Sequence, residues 1–412
     1  MIHDLSIRIK AAIDCAHADA EFVQATSGLP CEIRLIIGLD QSAAMFDVLS
    51  NQSAALLKLS ADASTWNSFT QTAPPVGYHS FTAAIRDPLR LSVEGESLHI
   101  AQSLHALERF FEILRGQIEQ EPGPHSSPAL ENVTGHYADV GLAQKKYPPI
   151  YYERAGTPGC PTLLMLHTAG ADSRQYHHIL ADPQLQAAWD MYVFDLPAHG
   201  KSMPSPDSLW QGYQLDKLSY SSICLAFIEN VIKKPTVLLG CSMGAAMALH
   251  LGNICPAQVA AIVALETPYK SRGRRTAFLA HPQVNQAGHN PSYVRGLMSP
   301  TSPLHRRRAA AWIYSQGGFQ VYPGDLAFYS DEFDAEVDIK GLDARKKAVY
   351  LLTGSYDYSA SPADSKRVAD LIPGARFMEM PDLGHFPMIE NPDALLVYLR
   401  PVLQEIKSRI GE

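Results

Sequence analysis

Val237-Leu238-Leu239-Gly240-Cys241-Ser242-Met243-Gly244-Ala245-Ala246 passes from an apolar run, through two closely spaced glycines, into small helix-forming residues. A short, continuously apolar run predicts a strand buried on both faces, and the residues after it predict a helix packed back on that strand. Between them, Gly240-x-Ser242-x-Gly244 predicts a turn tight enough to need glycine on either side. Such a turn holds the Ser242 hydroxyl clear of the backbone at the carboxyl end of the strand. The string alone is common by chance, and its weight comes from lying between strand and helix.

Similar runs recur on both sides, at Leu163–Leu166, Met191–Phe194, Ala261–Leu265, Val349–Leu352 and Arg376–Met380, separated mostly by helix-length segments. That rhythm predicts a mostly parallel sheet covered by helices on both faces, with functional residues beyond the carboxyl ends of the strands. A serine hydroxyl needs a base to become a nucleophile, and the base needs a third group to orient it. Two strand-end loops supply them: Gly354-Ser355-Tyr356-Asp357 and Pro381-Asp382-Leu383-Gly384-His385. Glu266, after the run Ala261–Leu265, is a rival carboxylate for Asp357.

With Ser242, Asp357 and His385 in that chain order, residues 148–408 resemble the α/β-hydrolase superfamily, in particular its esterase, lactonase and carbon–carbon hydrolase branch. The resemblance implies an α/β-hydrolase fold with a lid insertion, a Ser242 nucleophile, a His385 base and an Asp357 orienting acid. It further implies an oxyanion site made by the backbone N–H groups of Met243 and Ala169, with Thr168 as the near alternative. His167, Thr168 and Cys241 are expected to border the substrate. Asp195-Leu196-Pro197-Ala198-His199-Gly200-Lys201-Ser202 is similar to the family's Asp-x-Pro-Gly-x-Gly-x-Ser loop, and Thr168 and Ala198 both stand where the family carries glycine.

Upstream, the prolines, serines and glycine of Gln120–Pro128 predict a linker. The expected organisation is a small α+β domain over 1–120, a linker over 121–135 and the hydrolase domain over 136–412, with the lid at about 267–345. In the first domain, residues 1–24 and Ser97–Ile118 predict helices and Cys31–Gly38 and Ala54–Leu59 predict strands. Its order of elements, with Trp66 opening a helix, is similar to the sterol-carrier-protein fold, which implies a lipid tunnel. The plainer expectation is a packing module, with homodimerisation through it.

Basic residues crowd the insertion at Lys270, Arg272, Arg274 and Arg275 and again at Arg306–Arg308. A solvated helix face is the ordinary reading. The sharper one is a lid in which Arg274 and Arg275 bind a carboxylate-bearing substrate.

A length of 412 residues and a net charge of −8 fit a two-domain globular protein acting on a small molecule and argue against nucleic acid or an anionic membrane as partner. The six cysteines have no metal-finger or Cys-x-x-Cys spacing, and the amino terminus has no secretory pattern, so reduced thiols and a cytoplasmic location are expected. Gly200-Lys201-Ser202 lacks the upstream glycine of a phosphate loop, and His177, His178, His281 and His289 lack zinc-site spacing. No cofactor or metal is expected. The predicted activity is hydrolysis of a small carboxylic ester. The alternatives are carbon–carbon hydrolysis of diketone ring-fission products, lactone or amide cleavage, and lipid carriage by the first domain.

Overall fold

The computed structural model describes residues 2–38, 43–117, 127–142, 147–318 and 320–411. Of the linker expected at 121–135, residues 121–126 lie outside these. The chain forms two compact units, one of Met1–His125 with Phe278–Ser315 and the other of Ser126–Ala277 with Gln316–Glu412.

In the first unit, β1 (Cys31–Ile37), β2 (Ala44–Leu49), β3 (Ala55–Ala61) and β4 (Ser92–Glu94) form a sheet in the order β2-β1-β3-β4. The inner pair is parallel and the outer pairings are antiparallel. The helix expected over 1–24 is two helices, Ile2–Ala18 and Ala20–Thr26. The break falls at Asp19, whose carboxylate accepts from Phe22 N–H and so caps the second helix. Helix Ser97–Leu114 buries Ala101, Leu104, Leu107, Phe110, Phe111 and Leu114, as its periodicity predicts.

The interior of this unit holds an aromatic cluster. Trp66, Phe69 and Phe81 pack around Phe111 at ring separations of 5.1–6.3 Å, and the Trp66 indole donates to Ile36 O.

The insertion divides differently from the expected single lid. Its helices Gln286–Leu297 and Leu304–Ser315 belong to the first unit, where Gln286–Leu297 packs on Ser97–Leu114. Gly296 permits the close approach: a Cβ there would lie 1.9 Å from Thr82 Oγ1 and 2.7 Å from Glu108 Oε1. The basic run is therefore no solvated face. Arg307 and Arg295 are buried against Glu112, and Arg308 reaches Glu21 at 3.1 Å.

In the second unit, β5 (Thr134–Ala138), β6 (Ile150–Gly156), β7 (Thr162–Leu166), β8 (Asp190–Phe194), β9 (Thr236–Cys241), β10 (Val259–Leu265), β11 (Val349–Gly354) and β12 (Arg376–Met380) form one sheet in the order β12-β11-β10-β9-β7-β8-β6-β5. From β12 to β8 every pairing is parallel, whereas β6 and β5 are antiparallel. The carboxyl ends of β7, β9, β10, β11 and β12 thus open onto one edge, where an α/β sheet places its site. Among the described residues no helix is long and apolar enough to cross a membrane.

Candidate active site

Ser242 stands between β9 and the helix Met243–Ile254 with φ 55 and ψ −112, a conformation L-residues seldom adopt. The flanking glycines make this turn possible: a Cβ on Gly240 would lie 2.1 Å from Gly244 O, and one on Gly244 would lie 2.2 Å from Leu166 O. The serine hydroxyl lies 2.9 Å from His385 Nε2, and His385 Nδ1 lies 2.6 Å from Asp357 Oδ2. All three side chains are buried. Asp357 Oδ1 accepts from the backbone N–H groups of Ser359 and Ala360, which leaves Oδ2 turned to the histidine.

Glu266, the rival acid, is also at this edge, with φ 50 and no exposure. One of its carboxyl oxygens, a nitrogen of His385 and one carboxyl oxygen of Asp357 all lie within 4.8 Å of one another. It accepts from Gly354 N–H at 3.1 Å. Burial, and then the Asp357 charge beside it, hold the Glu266 carboxyl well above the usual range, so it remains protonated and hydrogen-bonds Asp357. The spacing would suit a cation, but the donors are committed to one another and to Ser242. The arrangement sets Ser242, His385 and Asp357 along one hydrogen-bonded line.

In the loop after β7, the backbone donors on either side of Ala169 are engaged. Thr168 N–H and hydroxyl both engage Gln175 Oε1, at 3.1 and 3.0 Å, and Gly170 N–H donates to Asp325 Oδ2 at 2.7 Å. Ala169 N–H has no such partner among the described residues. Met243 is the first residue of its helix, so its N–H lacks an intrahelical acceptor.

Three residues expected to border the substrate are hydrogen-bonded into the site's frame. His167 Nδ1–H donates to Thr168 O and Nε2 accepts from Leu196 N–H, a pattern that only the neutral ring can make. Burial, and then the neighbouring His199, lower its pKa to about 4. The Cys241 thiol is fully buried and donates to His385 O. Burial raises its pKa well above the ordinary value, so it stays a thiol. Thr168 is held by Gln175 as described.

His199, whose ring centre is 4.9 Å from that of His167, has the opposite character. Its Nδ1 faces Pro197 O at 3.0 Å and its Nε2 faces Asp325 Oδ2 at 2.8 Å, so both nitrogens donate. Burial alone would lower its pKa, yet the Asp325 carboxylate, its hydrogen bond, the bond to Pro197 O and the more distant Asp195 together outweigh burial and raise it. Asp325 also accepts from Tyr213 OH at 2.8 Å and from Gly170 N–H, tying the loop after β7 to the loop after β8. In that second loop Ala198, standing where a glycine is usual, takes φ 70, a left-handed conformation that costs an alanine about 1–2 kcal/mol.

The two lid arginines part company. Arg275 is exposed and pairs with Asp331 at 3.3 Å. Arg274 Nη2 donates to Ser359 O, beside the backbone that holds Asp357. Lys270 pairs with Asp334 at 2.9 Å.

Three residues at the site have no counterpart in the motifs: Gln175, Asp325 and Tyr329. Tyr329, in the wide helical turn Ala327–Glu332, is buried, and its hydroxyl approaches those of Ser242 and Ser271. No local pattern marks any of the three. Asp325 and Tyr329 arrive from far along the chain, in a segment without strand rhythm.

Comparison with known proteins places this geometry. Residues 163–397 match the profile described as the Alpha/beta hydrolase family. Pyrrolizixenacetamide deacetylase of Xenorhabdus hominickii is 25% identical over 257 residues, covering 59% of this chain and 91% of its own. Among solved structures, the enol-lactonase of Burkholderia xenovorans LB400 superposes with a TM-score of 0.55 at 18% identity, over 65% of this chain and 100% of its own. A thermophilic esterase of Thermogutta terrifontis gives 0.52 at 18% identity, over 66% and 99%. At such identities the structural likeness speaks to the fold.

Proposed function

The chain belongs to the alpha/beta hydrolase family and is an enzyme, and on that premise we propose that it cleaves a carboxylic ester of a small organic substrate through an acyl-enzyme on Ser242. The observation that carries the reading is the unbroken line from Ser242 Oγ through the His385 ring to Asp357 Oδ2, at 2.9 and 2.6 Å.

In this reading His385 Nε2 takes the serine proton as Oγ attacks the acyl carbon, and Asp357 fixes the tautomer and stabilises the imidazolium. The oxyanion forms against the N–H groups of Met243 and Ala169, each such donor being worth roughly 2.7–4 kcal/mol. His385 then gives its proton to the departing alcohol. Water, activated by the same ring, releases the acid.

Ser242→Ala is expected to abolish turnover of nitrophenyl esters and labelling by a fluorophosphonate while leaving the melting temperature near that of the parent. Undiminished turnover would refute the assignment. Amide deacylation is a second reading, supported by the deacetylase that aligns along 91% of its own length. One acyl group presented as ester and as anilide separates the two.

A further inference from the structure

Ser242 lies at the end of β9, with β7 on one side and β10 on the other. The loop after β7 brings Ala169 to it, and the chain after β10 brings Glu266 and then Ser271. On the proposed serine-hydrolase reading, a substrate carbonyl oxygen turns toward Ala169 and Met243. The other substituents of the acyl carbon then face away from β7, toward the β10 side and within reach of His385.

On that side stands Tyr329. Its ring is buried, and its hydroxyl interacts with those of Ser242 and Ser271, yet among the described residues neither it nor the buried Ser271 hydroxyl has a partner in full hydrogen-bonding geometry. Burial raises the phenol's pKa, so it keeps its proton. Native interiors seldom leave hydroxyls unpaired, and two of them beside a nucleophile call for an external partner. The strap that carries them is fixed: Ser330 Oγ donates to Ser271 O at 2.9 Å and receives Arg274 N–H at 3.2 Å. The wide-turn geometry at 327–332 is itself a form concentrated at functional sites.

We propose that the Tyr329 hydroxyl, seated beside Ser271, hydrogen-bonds the leaving-group heteroatom of the substrate held at Ser242. As the Oγ–acyl bond forms, the bond from the acyl carbon to the heteroatom breaks and its electron pair stays on the heteroatom. The proton that His385 took from Ser242 passes to that atom. Tyr329 gives up no proton and stabilises the charge as it develops. The help is greatest for poor leaving groups such as alkoxides and least for nitrophenoxide, which needs little stabilisation.

The test compares kcat/KM, which reports acylation, for one acyl group esterified to nitrophenol, phenol, benzyl alcohol and ethanol. In Tyr329→Phe the loss should be on the order of tenfold greater for the alkyl than for the nitrophenyl ester, the size of one hydrogen bond. Ser271→Ala should show the same trend more weakly, and it decides the matter if the phenylalanine variant does not fold. Stoichiometric fluorophosphonate labelling of each variant shows an intact Ser242. A loss uniform across the series, or none for the alkyl esters, overturns the role of Tyr329 and leaves the serine-hydrolase reading standing. A wild-type protein that turns over no member of the series overturns both.

Discussion

In the unit built from residues 1–125 and 278–315, Glu112 lies buried beneath Arg109, Arg295 and Arg307. Burial pushes its carboxyl up, and the three guanidinium groups outweigh burial and hold it at about 2. One helical turn away Glu108 is equally buried, accepts from Thr82 N–H and Oγ1, and burial raises it to about 7. In the unit that carries Ser242, Glu266 meets Asp357, pairs with no guanidinium among the described residues and stays protonated, while Asp357 takes two backbone N–H bonds and faces a histidine. Burial is common to all four carboxyls. What separates them is the partner, and the partner decides whether the group is a fixed charge, a proton store or an orienting acid.

The largest break of this contrast is expected at Asp357. Asp357→Asn removes the charge facing His385 and leaves Glu266 protonated beside it. On the proposed assignment kcat should fall on the order of ten-thousandfold, about 5.5 kcal/mol of transition-state stabilisation. Steady-state kinetics with a nitrophenyl ester measures it. A fall of less than about tenfold would mean that Glu266 takes over as the orienting acid.

Much of this could be read in advance, for physical reasons that also mark where the reading ends. Strands β7 to β11 are nearly continuous apolar runs, and the structure places them within two residues of the expected positions because burial on both faces leaves a contiguous signal, whereas in the edge strand β12 only Met380 is buried. The Ser242, Asp357 and His385 loops follow from those strands. By contrast Arg295, Arg307 and Glu112 look solvated in sequence, since charged residues are almost never buried unless paired, and their partners lie 183 and 195 residues apart. The same distance hides Asp325 and Tyr329. His167, Thr168 and Cys241 are expected beside Ser242 from the motifs, but which way their polar atoms face depends on Leu196, Gln175 and His385, and no spacing rule reports that.

The second effect sharpens the contrast inside the first unit. A folded-state pKa of about 7 for Glu108, against an ordinary value near 4.5, means that the native protein holds this proton where the unfolded chain has lost it. Stability from this group is therefore full below about pH 4.5 and is lost as pH rises to about 7, by roughly 3 kcal/mol in all. Glu108→Gln keeps a side-chain oxygen able to accept from Thr82 but cannot ionise. Urea unfolding at pH 5 and at pH 7.5 should show the variant gaining on the parent as pH rises. A difference that does not change with pH would place an unrecognised positive charge against Glu108.

The smallest effect is expected at Glu266, and its smallness is informative. Protonated, it already has the charge of a glutamine, and its two roles are to accept from Gly354 N–H and to donate to Asp357. Glu266→Gln preserves both, since the amide oxygen accepts and the amide nitrogen donates, so kcat should fall by less than about tenfold. The pH–rate profile is the sharper readout. If Glu266 is neutral throughout, substituting it leaves the acid limb of kcat/KM in place, because that limb reports the free enzyme's base. A limb displaced by a full pH unit would show that Glu266 ionises in the working range, and the partner rule drawn from Glu112 and Glu108 would fail at the one site where it matters for catalysis.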